Sequence, residues 1–104
     1  MAGTVRRIWV KRAHGGPMDA RDRAILVAGE GIRDSADQGT KRQVTLLDAE
    51  QWERVERALG AAVDPAARRA NVLLAGVALK ETRGSVLRIG VTRLRILGET
   101  RPCE

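Results

Sequence analysis

The sequence predicts a mainly β fold, a small closed or partly open β-barrel carrying one main helix and one short helix, within a single domain spanning 1–104. Three observations lead there. At 104 residues the chain has room for one hydrophobic core only. The apolar stock is aliphatic: Val, Leu and Ile supply 25 residues, Phe and Tyr are absent, and Trp9 and Trp52 are the only aromatics. That stock suits a small sheet better than a large helical bundle. Finally, the apolar runs are short and glycine-punctuated, and strands outnumber helices, the pattern of a barrel with helices inserted between strands.

The elements follow in order. Residues 5–11 alternate loosely and are rich in Val, Ile and Trp, so a strand is expected near 4–12. The cluster His14-Gly15-Gly16-Pro17 must stop it. A second strand is expected near 22–28, where an apolar run at 24–28 precedes Gly29 and Gly31, although a short helix has the same periodicity. Residues 31–41 are polar and glycine-punctuated, as in a surface loop with functional use. A third strand follows near 42–47. The clearest helix signal is Asp48 as N-cap, with Gln51 placed to return a hydrogen bond and Trp52, Val55 and Leu59 at helical spacing. Gly60 ends this helix, expected at 49–59. Glu50 with Arg54 and Glu53 with Arg57 are spaced as ion pairs on its solvated face. Asp64 and Pro65 repeat the start signal for a single turn through Arg68. Strands are expected near 71–75, 84–89 and 91–98, separated by Gly76, Gly84 and Gly90. In the last, Val91, Arg93, Arg95 and Leu97 share one face and Thr92, Leu94 and Ile96 the other.

The formal net charge is +6, which invites a nucleic-acid reading. The distribution does not favour it: 16 of the 19 basic residues are Arg, scattered from Arg6 to Arg101 and without aromatic stacking partners beyond the two tryptophans. An anionic small ligand fits the charge equally well. One cysteine excludes an internal disulfide and a cysteine-only zinc site, which points to a cytoplasmic location. The longest apolar runs, 24–28 and 72–79, are too short for a bilayer, which needs about 20 residues, so no membrane partner is expected. His14 is the sole histidine and reads as a turn residue, since the usual histidine-rich metal sites need two or three. Gly29-Glu30-Gly31 is only faintly similar to a dinucleotide fingerprint, because Asp34 occupies the third glycine position and no helix follows. No serine, histidine and acid have triad spacing. Cys103 is the one soft ligand and strong nucleophile; Arg101 favours its thiolate, while Glu104 and the terminal carboxylate oppose it.

Four segments together resemble the MOSC domain family, named for the C-terminal domain of molybdenum cofactor sulfurases. Arg42-Gln43-Val44-Thr45-Leu46-Leu47, before an acidic helix start, is similar to the family's Arg-Gln-Val-Thr strand. Arg69-Ala70-Asn71 with the apolar strand, Gly76 and Leu79 is similar to its Arg-x-Asn pattern. Gly84 to Gly90 with Leu94 resembles its Gly, Leu-x-Ile-Gly hairpin, and Arg101-Pro102-Cys103 its Pro-Cys pair. Gly16-Pro17-Met18 resembles a segment near the family's start, and Asp34 or Ser35 stands in for the family's Gly-Asp pair, whose glycine is missing from Gly31-Ile32-Arg33-Asp34-Ser35.

The resemblance implies a β-barrel with peripheral helices and a sulfur-carrier or molybdenum-cofactor-binding module. In it Cys103 carries a persulfide or ligates molybdenum, and Arg42, Arg69, Asn71, Asp34 and Ser35 stand near the anionic pterin of molybdopterin. A pterin phosphate needs cationic donors, which Arg69 supplies, and a thiolate suits a soft metal or sulfane sulfur. The alternatives are a molybdenum-dependent reductase of N-hydroxylated compounds and a non-catalytic module for an anionic partner. The expected partners are the pterin or a sulfur donor protein. Family domains continue past the Pro-Cys pair, whereas this chain ends at Glu104. A compact version is therefore expected, with exposed strand edges near 91–97 covered in a homodimer.

Overall fold

The computed structural model describes residues 1–40 and 42–99. In chain order these form β1 (Thr4–Lys11), β2 (Met18–Arg21), β3 (Leu26–Val27), β4 (Gly31–Ile32), β5 (Leu46–Asp48), α1 (Ala49–Leu59), a 3-10 turn (Pro65–Arg68), β6 (Val72–Ala75), β7 (Val86–Ile89) and β8 (Thr92–Arg95). With 33% strand and 15% helix, the fold is mainly β, as expected. The strands form a four-stranded sheet in the order β2-β1-β6-β5 and two hairpins, β3-β4 and β7-β8. Among the described residues these sheets are not closed into a barrel. A bridge from Ala2 to Arg88 and the Met1 amino group, which donates to the Val86 carbonyl at 3.3 Å, tie β7 to the chain that leads into β1.

The core lies on both faces of the large sheet. All four residues of β6 are buried, and because side chains alternate along a strand, Val72 and Leu74 enter one cluster while Leu73 and Ala75 enter the other. Val10 of β1 joins the first with Ile32 and Leu87, beneath the two hairpins. Trp9 joins the second with Ala49 of α1. A strand covered on both sides reads as a continuous apolar run, which is why 72–75 was legible in the sequence.

The helix also forms where the sequence puts it. Asp48 is its N-cap, with Oδ1 accepting from the Gln51 amide at 3.0 Å, and Gly60 ends it in the left-handed region at φ 70°, a conformation without penalty for glycine. The return hydrogen bond from Gln51 does not form; its Oε1 accepts from Arg54 at 2.7 Å. Nor do the two expected ion pairs along the helix. Glu53 faces Arg6 at 3.7 Å, and Glu50 accepts the Gly76 amide, because tertiary partners outcompete a weak surface pair. The Asp64-Pro65 turn is capped as expected, with Asp64 Oδ1 accepting from the Ala66 amide at 3.0 Å.

The strand expected at 22–28 is corrected. The partner of β1 is Met18–Arg21, which pairs Ile8 with Arg21 and Lys11 with Met18 across the His14-Gly15-Gly16-Pro17 turn. Residues 18–21 are the edge of the sheet, so polar Asp19 and Arg21 are tolerated there and the apolar signal is lost. In the run 24–28 only Leu26–Val27 is strand, and Ile25 is 55% exposed. The strand expected at 42–47 shrinks to Leu46–Asp48, for a reason given below. The loop expected at 31–41 begins with β4 and buries Ser35 and Asp37. The last two strands are shorter than expected, at Val86–Ile89 and Thr92–Arg95.

Across the β1–β2 hairpin Arg12 donates two hydrogen bonds to Asp19, at 2.7 and 3.2 Å. These bonds chiefly hold the Asp19 carboxyl below the usual carboxylate range, the nearby charge of Arg12 adding to them. A depressed folded value stabilises above the ordinary carboxylate pKa, and that share is lost as pH falls through the lowered value. NMR titration should show Asp19 protonating at lower pH than a model aspartate, and Arg12→Ala should restore the ordinary value.

Candidate functional site

Between the β3–β4 hairpin and the β7–β8 hairpin lies an open cleft of about 1000 Å³, at the upper end of small-molecule sites. Two of its walls are continuous stretches of chain, 42–46 and 92–99. A strand seen from its face contributes alternate residues, so these walls include strand edges. β5 pairs only with β6 and β8 only with β7, and the cleft is the seam along which the sheets stay apart. The inner lining is apolar, with Leu26, Val44, Leu46, Leu94 and Ile96 packed against the core. At the border stand Arg42, Lys80, Arg93 and Arg95 against Asp48 and Glu99. Asp48 is already engaged, by the Gln51 and Leu79 amides. The cleft is therefore biased toward anions.

Gly31 sets one wall. Its φ is +111°, and a Cβ there would stand 2.8 Å from both the carbonyl oxygen and the Cβ of Gln43, whose Nε2 donates to the Gly29 carbonyl at 3.0 Å. Gly31→Ala combines backbone strain with a collision against main chain, and should cost about 2 kcal/mol in chemical denaturation. Gly29→Ala carries strain but meets no atom within 4 Å, and should cost less.

Behind the cleft is a polar cluster that holds the loop after β4 against β1. Asn71 is fully buried. Its Oδ1 accepts from the Thr45 amide at 3.0 Å, and its Nδ2 donates to the Trp9 carbonyl at 3.1 Å and Ser35 Oγ at 3.5 Å. A side chain thus takes the place of a strand partner at Thr45, which explains why β5 starts only at Leu46. Ser35 Oγ also accepts from the Lys11 amide at 3.3 Å. Lys11 Nζ meets Asp37 Oδ2 at 2.6 Å, and His14 Nδ1 lies 3.5 Å from Asp37 Oδ1. The hydroxyl of Thr40 donates to the Asp37 carbonyl at 2.8 Å and accepts from the Arg42 amide at 3.1 Å. Together these bonds anchor Ser35, Asp37 and Thr40 in front of Arg42 at the cleft.

The sequence-derived site residues do not all converge. Ser35 and Asn71 touch, and Arg42 lines the cleft. Arg69 caps the 3-10 turn at φ 57° and reaches the His14–Pro17 turn instead, where Nη1 donates to the Gly16 carbonyl at 2.7 Å; its Nη2 is buried without a partner. Asp34 is exposed at φ 70°, with no recorded side-chain bond to the cluster. Cys103, with Arg101 and Pro102, lies outside the described residues. The grouping of Lys11 and His14 with Asp37 was not legible in the sequence, where His14 reads only as a turn residue, because residues far apart that pair through tertiary folding leave no local pattern. Among the described residues no group of three His, Cys, Asp or Glu is placed to hold a metal ion. What the arrangement offers is a slot with apolar walls, free backbone edges and guanidinium groups, suited to a flat anionic molecule.

Among the described residues no helix is long and apolar enough to cross a membrane. Comparison with protein-family models matches the MOSC domain over residues 11–104. No curated protein and no solved structure matches the chain.

Proposed function

The chain belongs to the MOSC domain family, which is associated with molybdenum cofactor binding and sulfurase-like modules, and on that premise we propose that it is a sulfur-carrier or molybdenum-cofactor-binding module whose cleft takes the anionic pterin. The observation that carries this reading is the cleft itself: an apolar slot along the free edge of β8, bordered by Arg42, Lys80, Arg93 and Arg95. The residues present fit the group. A flat heteroaromatic ring suits the apolar walls, its amide-like edge suits the β8 edge that carries no strand partner, and its phosphate suits Arg42. Arg69 Nη2, buried and unpartnered, is a further donor that an anionic oxygen would satisfy.

Within this reading the roles divide. Arg42 binds at the cleft and Arg69 offers a second donor beside the His14–Pro17 turn, outside the cleft lining, while Asn71 and Ser35 act as positioning residues that fix Thr45 and the loop leading to Arg42. Asp34, in the same loop, stands at the family's acidic position. Cys103 carries the persulfide or ligates molybdenum, since a thiolate suits both. The cofactor, when bound, supplies redox and sulfur-transfer chemistry; the chain supplies the pocket, the charge and the thiol.

Incubation with a sulfane-sulfur donor such as a low-molecular-weight persulfide, which hands its outer sulfur to the Cys103 thiolate and leaves as a thiol, followed by alkylation and mass measurement, tests the thiol's role. The expected result is a gain of one sulfur atom per chain at Cys103, absent in Cys103→Ser; equal labelling of the two would remove Cys103 from the account. Turnover of an N-hydroxylated base with an electron donor would instead mark a reductase.

A homodimer with the strand near 91–97 or its neighbour close to the interface belongs to the same proposal. Light scattering should then give twice the 11.3 kDa chain mass. A mass of one chain at every concentration and salt would mean that Arg93 and Arg95 guard the edge of that strand alone.

A further inference from the structure

The β7–β8 hairpin carries a cationic face in which Arg88 joins Arg93 and Arg95 of the cleft border. Its register places Val86 opposite Arg95 and Arg88 opposite Arg93, with Leu87 opposite Leu94 between them. Leu87 is fully buried, so alternation turns Val86, Arg88, Arg93 and Arg95 to the outside, and all four are exposed. Like charges directly opposite on neighbouring strands repel and destabilise the pair. Elsewhere three arginines meet carboxylates, Arg6 with Glu53, Arg7 with Asp64 and Arg12 with Asp19. Among the described residues Arg88, Arg93 and Arg95, like most of the other arginines, have no ion-pair partner; what sets this face apart is that Arg88 and Arg93 stand directly opposite each other across the hairpin. The hairpin is tightly turned at Gly90, which sits at φ 58° in the first central position that a two-residue II′ turn requires of glycine. The three guanidinium groups are therefore displayed on a short, well-defined ribbon at a cost in stability.

We propose that the outward face of the β7–β8 hairpin docks an acidic, extended segment of a partner protein. Arg93 and Arg95 repeat at about 6.8 Å along the strand, the same repeat as alternate side chains of an extended segment, so carboxylates two residues apart meet successive arginines. Each guanidinium grips a carboxylate bidentately, and a carboxylate between Arg88 and Arg93 removes the cross-strand repulsion. A nucleic acid is less suited, because the face bears no aromatic side chain to stack a base. A membrane surface is less suited because the exposed apolar side chains beside the arginines, Val86, Val91 and Leu97, stand apart from one another and include no aromatic residue.

The test uses the full chain and a fluorescent hexapeptide of alternating Glu and Ser, read by anisotropy. The expected result is saturable, salt-sensitive binding that Arg88→Glu weakens about tenfold or more, while Arg23→Glu, an equal charge change at an exposed site elsewhere, changes it less than twofold. Arg88 does not line the cleft, so cofactor retention should be unchanged in Arg88→Glu even as peptide binding is lost. The same substitution places Glu opposite Arg93 and should raise the Tm. Three results would overturn the proposal: equal weakening by the two variants, no peptide binding, or preferential binding of a short DNA duplex or of phosphatidylserine vesicles.

Discussion

Asn71→Ala is expected to lower the free energy of unfolding by about 4 kcal/mol, because it strands buried partners rather than merely removing a bond. The Thr45 amide and the Trp9 carbonyl both meet the Asn71 side chain, and each would be left unsatisfied at a cost of roughly 1–3 kcal/mol. Asn71→Asp discriminates between the two ends of the amide. It keeps an acceptor for Thr45 but turns oxygen toward the Trp9 carbonyl and removes the donor to Ser35, so it should be no less damaging than Ala. Urea denaturation with an unchanged slope measures both. A loss below about 1 kcal/mol for Asn71→Ala would show that solvent replaces the side chain and that Asn71 is not the fastener of this wall.

Leu74→Ala should cost about 3–4 kcal/mol, the middle of the range for leucine truncation in a packed core. Leu74 is fully buried in β6 and belongs to the cluster shared with Val10, Ile32 and Leu87. That cluster joins the large sheet to both hairpins, so the cavity would lie where the two sides of the cleft are held in place. Val86→Ala, on the exposed face of β7, should stay within about 0.5 kcal/mol. If the two variants cost the same, the hairpins do not depend on this cluster.

What the sequence revealed and what it concealed divide by range. Asp48, Gly60, Asp64 and Pro65 act on amides two to four residues away, so the helix and the 3-10 turn were legible from spacing alone. Residues 72–75 were legible because burial on both faces leaves an unbroken apolar run. The failure at 22–28 has the opposite cause: β2 is an edge strand whose polar Asp19 and Arg21 erase the pattern, while the apolar run after it is split between inward Leu26 and outward Ile25. At the site, Arg42, Arg69, Asn71, Asp34 and Ser35 came from family resemblance, not from periodicity. The bond from Asn71 to Thr45 and the pair of Lys11 with Asp37 each join residues 26 apart, a separation that no local rule relates. The cleft is likewise a property of the sheets that stay apart, and sheet closure depends on pairing between strands distant in sequence.

The most direct test of the central claim is metal analysis together with pterin fluorescence on protein purified from a molybdopterin-producing host. The account predicts pterin retained in proportion to protein, and retention reduced roughly tenfold or more in Arg42→Ala, since a lost charge-assisted hydrogen bond is worth about 1.5–3 kcal/mol. Protein that folds with normal stability yet carries neither pterin nor molybdenum, or an Arg42→Ala variant that retains as much pterin as the unaltered chain, would contradict it.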